Sequence, residues 1–236
     1  MYKLGSVVLV SSQKRDMGKT VLTIKTGIGL SQIGKKVLMI DLSSGKKKIS
    51  EYLNVSEDII YDIKDVLDMT CSLDQAVIDI DDKLSILPNP RIAGKLGSIK
   101  SESFSRLINE AKGKYDVIIA DIDKISLSYI DFSCIQLIIN VNNNDFSCVK
   151  EFNIDKNIAY KFGVNNIIAV INKYDKKSAS SGSMMKLKDI QKMTEVQTSI
   201  VIEDNSLYSN ADNDLLFSKE ENSFNKAVRN IISKIC

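Results

Sequence analysis

The sequence has no histidine and only four cysteines in 236 residues, and the cysteines are far apart along the chain. Zinc sites in proteins are usually built from closely spaced pairs of cysteine and histidine. The usual zinc-binding spacings therefore cannot be assembled from this sequence. We expect reduced, buried thiols at all four positions: Cys71, Cys134, Cys148 and Cys236.

The sequence also lacks a long apolar segment near its N-terminus and an excess of charge of either sign. The first apolar run, at 7–10, is too short for a signal-peptide core or a membrane span, so we expect a cytoplasmic protein. The 32 Lys and Arg residues nearly balance 30 Asp and Glu residues. Dedicated nucleic-acid binders are usually basic overall, so nucleic-acid binding is not expected, although a local basic patch is not excluded.

Short apolar runs rich in β-branched residues alternate with helical patterns along the chain, which is typical of βαβ units. Several runs, such as 117–120, are apolar throughout, because strands covered by helices on both faces bury both sets of side chains. The pattern predicts an α/β fold with a doubly wound, mostly parallel central sheet flanked by helices, in a single domain of residues 1–236. Seven strands are predicted, at 6–10, 36–41, 84–87, 115–121, 134–141, 166–172 and 198–202.

Helical patterns lie between the predicted strands. They cover 19–33, 63–69, 73–78, 102–112, 149–162, 184–193 and 220–235. The segment 176–183, rich in Lys, Ser and Gly, is predicted to be a surface loop. The last helix carries apolar residues at helical spacing, which is more typical of a core face than of a membrane-targeting helix.

The strongest chemical signal lies between the first strand and the first helix. Residues 11–20 read Ser-Ser-Gln-Lys-Arg-Asp-Met-Gly-Lys-Thr, and the helix begins at Gly-Lys-Thr. A phosphate-binding loop needs backbone N–H groups at a helix N-terminus, a lysine for the terminal phosphates and a hydroxyl for Mg²⁺. Lys19 and Thr20 supply the lysine and the hydroxyl. The general motif G-x-x-x-x-G-K-S/T is only half matched, because Gln13 replaces its first glycine.

Three polar residues end predicted strands, where ligands of open α/β sheets bind. Asp121 ends a buried strand and is placed to hold Mg²⁺, although a loop or helix-capping carboxylate would look the same. Asp41 ends another strand and is placed to orient the metal or an attacking water. Asn172 could contact an adenine edge, and capping of a turn is nearly as good an explanation.

These segments resemble the MinD/ParA family of P-loop ATPases. The family's loop reads K-G-G-x-G-K-S/T, and Lys14 stands at the position of its signature lysine. The resemblance continues in four further segments, namely GKKVLMID at 34–41, LSILP at 84–88, YDVIIAD at 115–121 and VINK at 170–173. They are similar to the family's second strand, its L-x-I-L-P strand, its Walker B strand and its V-x-N-R segment.

This resemblance implies ATP and Mg²⁺ as cofactors. It implies catalytic roles for Lys14, Lys19 and Asp41, and metal binding by Thr20 and Asp121. It also implies a nucleotide-dependent homodimer, in which Lys14 reaches the partner's phosphates, and a protein partner that the sequence does not identify. The implied nucleotide contacts are Lys14, Arg15, Asp16, Met17, Gly18, Lys19, Thr20, Val21 and Asn172.

The chain departs from the family pattern at the loop and after the second strand. Arg15 and Asp16 replace two loop glycines, which we expect to strain the backbone by about 1 kcal/mol per residue. Ser43 replaces a second aspartate that serves hydrolysis in relatives, so turnover should suffer more than binding. Two hypotheses follow: a weak Mg²⁺-dependent ATPase switch, and a pseudo-ATPase scaffold without turnover.

Residues 172–175 also spell N-K-x-D, so a GTPase that recognises guanine through Asn172 and Asp175 is an alternative. The basic triplet 46–48 is interpreted as solvated surface charge. The family resemblance implies the spatial positioning or assembly of a cellular machine, such as a pilus, flagellum, secretion system, division site or partitioned DNA. The pilus, flagellar or secretion role is favoured, by analogy alone.

Overall fold

The computed structural model describes residues 4–92, 95, 99–125, 129–195, 199–203 and 213–236. Eight strands form one sheet in the order β3-β4-β2-β5-β1-β6-β7-β8. Only the pairing of β3 with β4 is antiparallel, so the predicted doubly wound, mostly parallel sheet is confirmed. The strands are β1 Ser6–Ser11, β2 Val37–Leu42, β3 Ile78–Asp79, β4 Leu84–Leu87, β5 Val117–Ile122, β6 Leu137–Asn142, β7 Ile167–Tyr174 and β8 Ser199–Glu203.

The predicted strands correspond to seven of these eight; the bounds of β4 agree with the prediction, and those of the other six differ by at most three residues. The first residue of the predicted strand 198–202 lies outside the described residues. Strand β3 was not predicted, because Ile78 was assigned to the end of the predicted helix 73–78 and Asp79 to the residues after it. A strand of two residues is too short to show the period-2 alternation from which strands are predicted.

Ten α-helices occur in the described part of the chain. The loop predicted at 176–183 is wrong, because Lys176–Ser181 form α7. Asp175 caps this helix, and its carboxylate accepts a hydrogen bond from the backbone N–H of Ser178. The helices are α1 Lys19–Gln32, α2 Ile49–Tyr52, α3 Ile63–Leu67, α4 Leu73–Ala76, α5 Ser101–Lys112, α6 Cys148–Lys161, α7 Lys176–Ser181, α8 Leu187–Thr194, α9 Asn213–Phe217 and α10 Ser223–Ile235.

The sheet separates two apolar layers, because successive side chains of a strand point to opposite faces. Val7 and Leu9 of β1 pack in the layer that contains α5 and α6. Val8 and Val10 pack in the layer that contains α1 and α10. Burial on both faces explains why the strands are apolar throughout instead of alternating with polar residues.

The apolar stripe of α10 faces the core, as the sequence predicts. Phe224, Val228 and Ile231 are buried, and α10 packs against α1 and β8. All four cysteines are free, but Cys236, directly after α10, is exposed, and Cys71 is only half-buried. The expectation of buried thiols is therefore wrong at these two positions. Within the described ranges, no helix is both long enough and apolar enough to cross a bilayer.

The carboxyl ends of the central strands define where a site can form. β1 lies between β5 and β6, and Asp121 of β5 pairs in register with both Val10 of β1 and Asp41 of β2. The chain leaves β1 at this edge, passes through residues 12–18 and enters α1. Ligands of open α/β sheets bind at such an edge, where neighbouring connections diverge to opposite faces.

Candidate phosphate-binding site

The loop between β1 and α1 ends at Gly18, which has a φ of +85° and directly precedes α1. Residues other than glycine rarely adopt this left-handed conformation. A Cβ atom at this position would also overlap the side-chain nitrogen of Asn172. The first turn of α1 carries no acidic residue, and no side chain caps its N–H groups. These N–H groups are therefore available for an anion.

Asp16 stands where the family loop has its second glycine, and it adopts a φ of +59°. Aspartate tolerates this region better than most residues, which reduces the cost of the replacement. In the described part of the loop, Asp16 is the only non-glycine residue with a positive φ. The strain expected from two replacements is thus confined to one of them, and Arg15 does not contribute.

Two side chains from the end of β7 hold the loop in place. The Asn172 amide donates a hydrogen bond to the carbonyl of Met17 at 2.8 Å, and the Lys173 ammonium donates one to the carbonyl of Asp16 at 2.9 Å. Because the amide nitrogen of Asn172 is engaged by Met17, its predicted contact with a base would have to use the carbonyl oxygen. The loop is therefore fixed from the side of the sheet where β7 lies.

A cavity of about 300 Å³ lies over the loop and the N-terminus of α1. Eight of the nine predicted nucleotide contacts line it, and Lys14 is the exception. The eight are Arg15, Asp16, Met17, Gly18, Lys19, Thr20, Val21 and Asn172. The structure therefore brings the predicted contacts together around one space, and their roles remain predictions.

The predicted metal ligands are in direct contact. The Thr20 hydroxyl donates a hydrogen bond to Asp121 Oδ2 at 2.6 Å. Asp121 is fully buried, and its Oδ1 has no hydrogen-bond partner among the residues that the structure describes. Burial, together with the nearby Asp41 carboxylate, raises the pKa of Asp121 to about 7. A buried carboxylate with an unsatisfied oxygen beside a hydroxyl fits Mg²⁺, which takes one or two protein oxygens and completes its shell with phosphates and water.

The Asp41 carboxylate is hydrogen-bonded to the segment that follows β2, whereas a catalytic role would require it to face the cavity. Its buried carboxylate accepts hydrogen bonds from the N–H of Ile49 at 2.8 Å and from the N–H and hydroxyl of Ser43 at 3.1 and 3.0 Å. Burial raises its pKa despite these bonds. Asp41 does not line the cavity, whereas Ser43 does. The geometry favours a role for Asp41 in positioning the segment after β2.

Lys14 points away from the cavity. Its ammonium lies 2.5 Å from Asp145 Oδ2 and 2.5 Å from the Ser147 hydroxyl, and 3.4 Å from Glu151 Oε1. These three residues lie just before and within α6. A contact between Lys14 and phosphate would therefore require this cluster to open.

The side chains of the N-K-x-D segment contact two different parts of the structure. Asn172 and Lys173 contact the loop, but the Asp175 carboxylate caps α7. It accepts hydrogen bonds from the Ser178 N–H at 2.9 Å and from the Ser178 hydroxyl at 2.6 Å, which lower its pKa. Asp175 does not line the cavity.

Several cavity residues were not predicted from the sequence. Lys46 and Lys47 line the cavity, although the sequence analysis interpreted residues 46–48 as solvated surface charge. Tyr52 of α2 and Glu203 of β8 also contribute to its wall. The basic triplet could be recognised in the sequence as a candidate anion-binding segment. Its orientation toward the cavity, however, depends on how the segment after β2 folds back.

Comparison with known families places the site in context. The family model described as the CobQ/CobB/MinD/ParA nucleotide binding domain matches residues 8–217. Among curated proteins, the septum site-determining protein MinD of Synechocystis is 33% identical over 122 residues. MinD of Helicobacter pylori is 34% identical over 118 residues. These alignments cover 50% and 49% of this chain and 45% and 43% of the relatives, so the chain matches about half the length of these curated relatives.

Solved structures share the fold over nearly the whole chain. MinD in the MinC:MinD cell division protein complex of Aquifex aeolicus has a TM-score of 0.81 at 23% identity, covering 97% of this chain and 96% of that chain. MinD of Pyrococcus horikoshii, complexed with Mg-ADP, has a TM-score of 0.79 at 22% identity, covering 98% and 95%. A ParA family ATPase of Chlorobium tepidum has a TM-score of 0.80 at 19% identity, covering 98% and 99%.

Proposed function

The chain belongs to the CobQ/CobB/MinD/ParA nucleotide-binding family, and from this premise we propose that it binds ATP with Mg²⁺ in the cavity over α1. The observation that carries the proposal is the contact between Thr20 and Asp121 beside Lys19. It combines a metal-binding oxygen pair, a phosphate-binding lysine and an uncapped helix N-terminus at one place. The P. horikoshii MinD structure, which contains Mg-ADP, supports the same cofactor class.

In this proposal, the N–H groups of the first turn of α1 hold phosphate oxygens, and Lys19 neutralises their charge. Lys19 is 7% exposed, so little solvent weakens its interaction with an anion. Thr20 and Asp121 would hold Mg²⁺, which supplies positive charge to the phosphates when bound. Asn172 and Lys173 fix the loop from the β7 side. The loop groups that would contact phosphate are therefore in position before the ligand binds.

ATP is proposed in preference to GTP. Guanine recognition by N-K-x-D requires a carboxylate that is free to pair with the base. The Asp175 carboxylate instead accepts two hydrogen bonds from Ser178 and caps α7. Guanine binding through Asp175 would therefore compete with the N-terminus of α7.

We further propose a switch with weak hydrolysis, in which bound ATP favours a homodimer. Ser43 lines the cavity where relatives have a carboxylate. A serine hydroxyl positions an attacking water less effectively than a carboxylate does, so we expect slow hydrolysis. The MinD relatives are septum site-determining proteins, and a structural neighbour from Borrelia burgdorferi is described as a plasmid partition protein. By this analogy the chain would position or assemble a cellular machine together with a protein partner of unknown identity.

A pseudo-ATPase scaffold is a second candidate, and the cluster around Lys14 favours it. The signature lysine is held by Asp145, Ser147 and Glu151 and lies outside the cavity. A scaffold would keep this arrangement whether or not nucleotide is bound. A switch must open it.

Calorimetric titration of the purified chain with ATP, GTP and ADP, with and without Mg²⁺, tests the proposal. We expect ATP to bind more tightly than GTP, and Mg²⁺ to tighten the binding. Equal affinity for the two nucleotides, or tighter GTP binding, would contradict the adenine preference. Phosphate release from the ATP complex then distinguishes weak turnover from a scaffold with none.

A further inference from the structure

The cavity wall opposite Asn172 is formed by the segment that follows β2. The sheet order places β2 and β7 on opposite sides of β1, each two strands away. Four spacings of about 4.8 Å separate the ends of β2 and β7 by roughly 19 Å. A nucleotide in the cavity would therefore have its base near one of these ends and its terminal phosphates near the other.

The metal-binding pair indicates which end receives the terminal phosphates. Asp121 lies at the second-last position of β5, which lies directly between β1 and β2, and it contacts Thr20. Two residues further on, the Asp123 carboxylate accepts a hydrogen bond from the N–H of Ser44 at 3.1 Å. The segment after β2 is thus attached to the metal-binding side of the site.

This segment is held firmly at both ends. Ser43 is bound by Asp41 through its N–H and its hydroxyl. The Lys48 ammonium donates a hydrogen bond to the carbonyl of Ser43, and Ile49 donates its N–H to Asp41. Lys46 and Lys47 lie between these anchors, and both line the cavity.

The two lysines differ in their surroundings. Lys47 Nζ lies 4.0 Å from the ring centroid of Tyr52, a cation–π contact that directs it along the cavity wall. In the described part of the chain, the Lys46 side chain has neither an ion pair nor a hydrogen bond. Both side chains are exposed.

The cavity as a whole is suited to a highly charged anion. Among the described residues, three carboxylates line it, but Asp123 is engaged by Ser44, and Asp16 and Glu203 lie on the β1 and β8 sides. Lys14, the cation expected to reach phosphates across a dimer, is outside the cavity. Five basic residues in the described part of the chain line the cavity: Arg15, Lys19, Lys46, Lys47 and Lys173.

We propose that Lys46 and Lys47 bind the terminal phosphate of the nucleotide within the same chain, and that they make a single copy selective for the triphosphate over the diphosphate. The inference rests on the proposed nucleotide binding. In this arrangement, recognition of the terminal phosphate does not depend on a lysine from a second copy. Charge-assisted contacts from the two ammonium groups are present only when that phosphate is present.

Calorimetry at dilute protein, with Mg-ATP and Mg-ADP as the ligands, tests the inference. The variants are the double substitution Lys46→Ala with Lys47→Ala and the charge-preserving pair Lys46→Arg with Lys47→Arg. Lys83→Ala is the control, because Lys83 is an exposed lysine directly before β4, at the opposite edge of the sheet. We expect the alanine pair to weaken ATP binding at least tenfold and ADP binding less than threefold, and the arginine pair and Lys83→Ala to keep the wild-type ratio.

The failure of this inference differs from the failure of the proposed function. If the wild type binds neither nucleotide, the proposed function fails and the inference fails with it. If the wild type binds ATP and the alanine pair keeps the wild-type ratio of ATP to ADP affinity, the inference alone is overturned. If circular dichroism shows that the alanine pair is misfolded, the double substitution Lys46→Gln with Lys47→Gln replaces it, with the same two outcomes.

Discussion

The ammonium of Lys14 lies 2.5 Å from the carboxylate of Asp145, next to α6, and not in the cavity that Lys19 lines. Both side chains are about one third exposed, so the ion pair contributes on the order of 1 kcal/mol or less. The pair is therefore weak enough for a second, more highly charged partner to replace it. A nucleotide held by a second copy would be such a partner.

The first prediction concerns this ion pair. Asp145→Asn should release Lys14 in part, because Ser147 and Glu151 remain, and should tighten ATP-dependent dimerisation about 2–5-fold. Sedimentation equilibrium with Mg-ATP measures the effect, with Asp82→Asn as a matched control at an exposed aspartate. Lys14→Ala should weaken dimerisation. Tighter dimerisation of Lys14→Ala, or none in any variant, would contradict the switch.

The second prediction separates a steric effect from backbone strain. Gly18→Ala and Gly34→Ala share a positive φ, but an added Cβ overlaps Asn172 only at Gly18 and meets open space at Gly34. Each should lose about 1–2 kcal/mol of stability through strain, and Gly18→Ala should lose more. Urea unfolding measures stability, and calorimetry measures ATP binding. Wild-type ATP affinity in Gly18→Ala would show that the loop conformation does not hold phosphate.

The third prediction concerns the buried carboxylate of Asp155, which accepts hydrogen bonds from Gln13 at the start of the loop and from Asn140 of β6. Burial raises the pKa of Asp155 to about 6 despite these bonds. The folded state therefore binds more protons than the unfolded state between about pH 4 and pH 6. Stability from this group is present below the unfolded pKa of 3.8 and is lost as the pH rises through about 6.

Asp155→Asn removes this titration. The wild type should lose about 2 kcal/mol relative to the variant between pH 4 and pH 7, because a shift of about two pKa units corresponds to about 3 kcal/mol in full and part of that is already lost at pH 4. Urea unfolding of both proteins across this range measures the difference. A difference that does not change with pH would show that Asp155 is ionised throughout and that its burial is offset by its amide partners.

The fourth prediction concerns hydrolysis. Ser43→Asp restores a carboxylate to the cavity wall and should raise the rate of phosphate release about tenfold or more. The Ser43 hydroxyl donates to Asp41, so the new carboxylate would face a buried like charge and should lower thermal stability. Ser43→Asn controls for shape without charge. An unchanged rate in Ser43→Asp, with ATP still bound, would favour the scaffold.

Most of the fold could be predicted from the sequence, because it depends on local apolar patterns. The runs in β1 and β5 are buried on both faces, and such runs are readily recognised. The error at α7 arose because a Lys and Ser composition is typical of loops. The segment is nevertheless helical, and the Asp175 side chain caps its N-terminus. Two-residue β3 carried no periodic signal.

The site was predictable where its residues are adjacent in sequence. Gly18, Lys19 and Thr20 are consecutive, so the spacing alone indicated their shared cavity. The partners of Lys14 and Asp155 could not be predicted, because they depend on long-range contacts with α6 and β6. Likewise, the orientation of Lys46 depends on Asp41 of β2 and on Asp123, directly after β5, and no local pattern encodes it.

The most direct test of nucleotide binding is calorimetric titration of Lys19→Ala with Mg-ATP, beside the wild type and Lys83→Ala. Lys19 is the buried cation at the N-terminus of α1, and loss of its charge-assisted contact to phosphate should cost about 2 kcal/mol or more, at least a 30-fold loss of affinity. Lys83→Ala should bind as the wild type does. Wild-type affinity for ATP in a correctly folded Lys19→Ala would contradict the account.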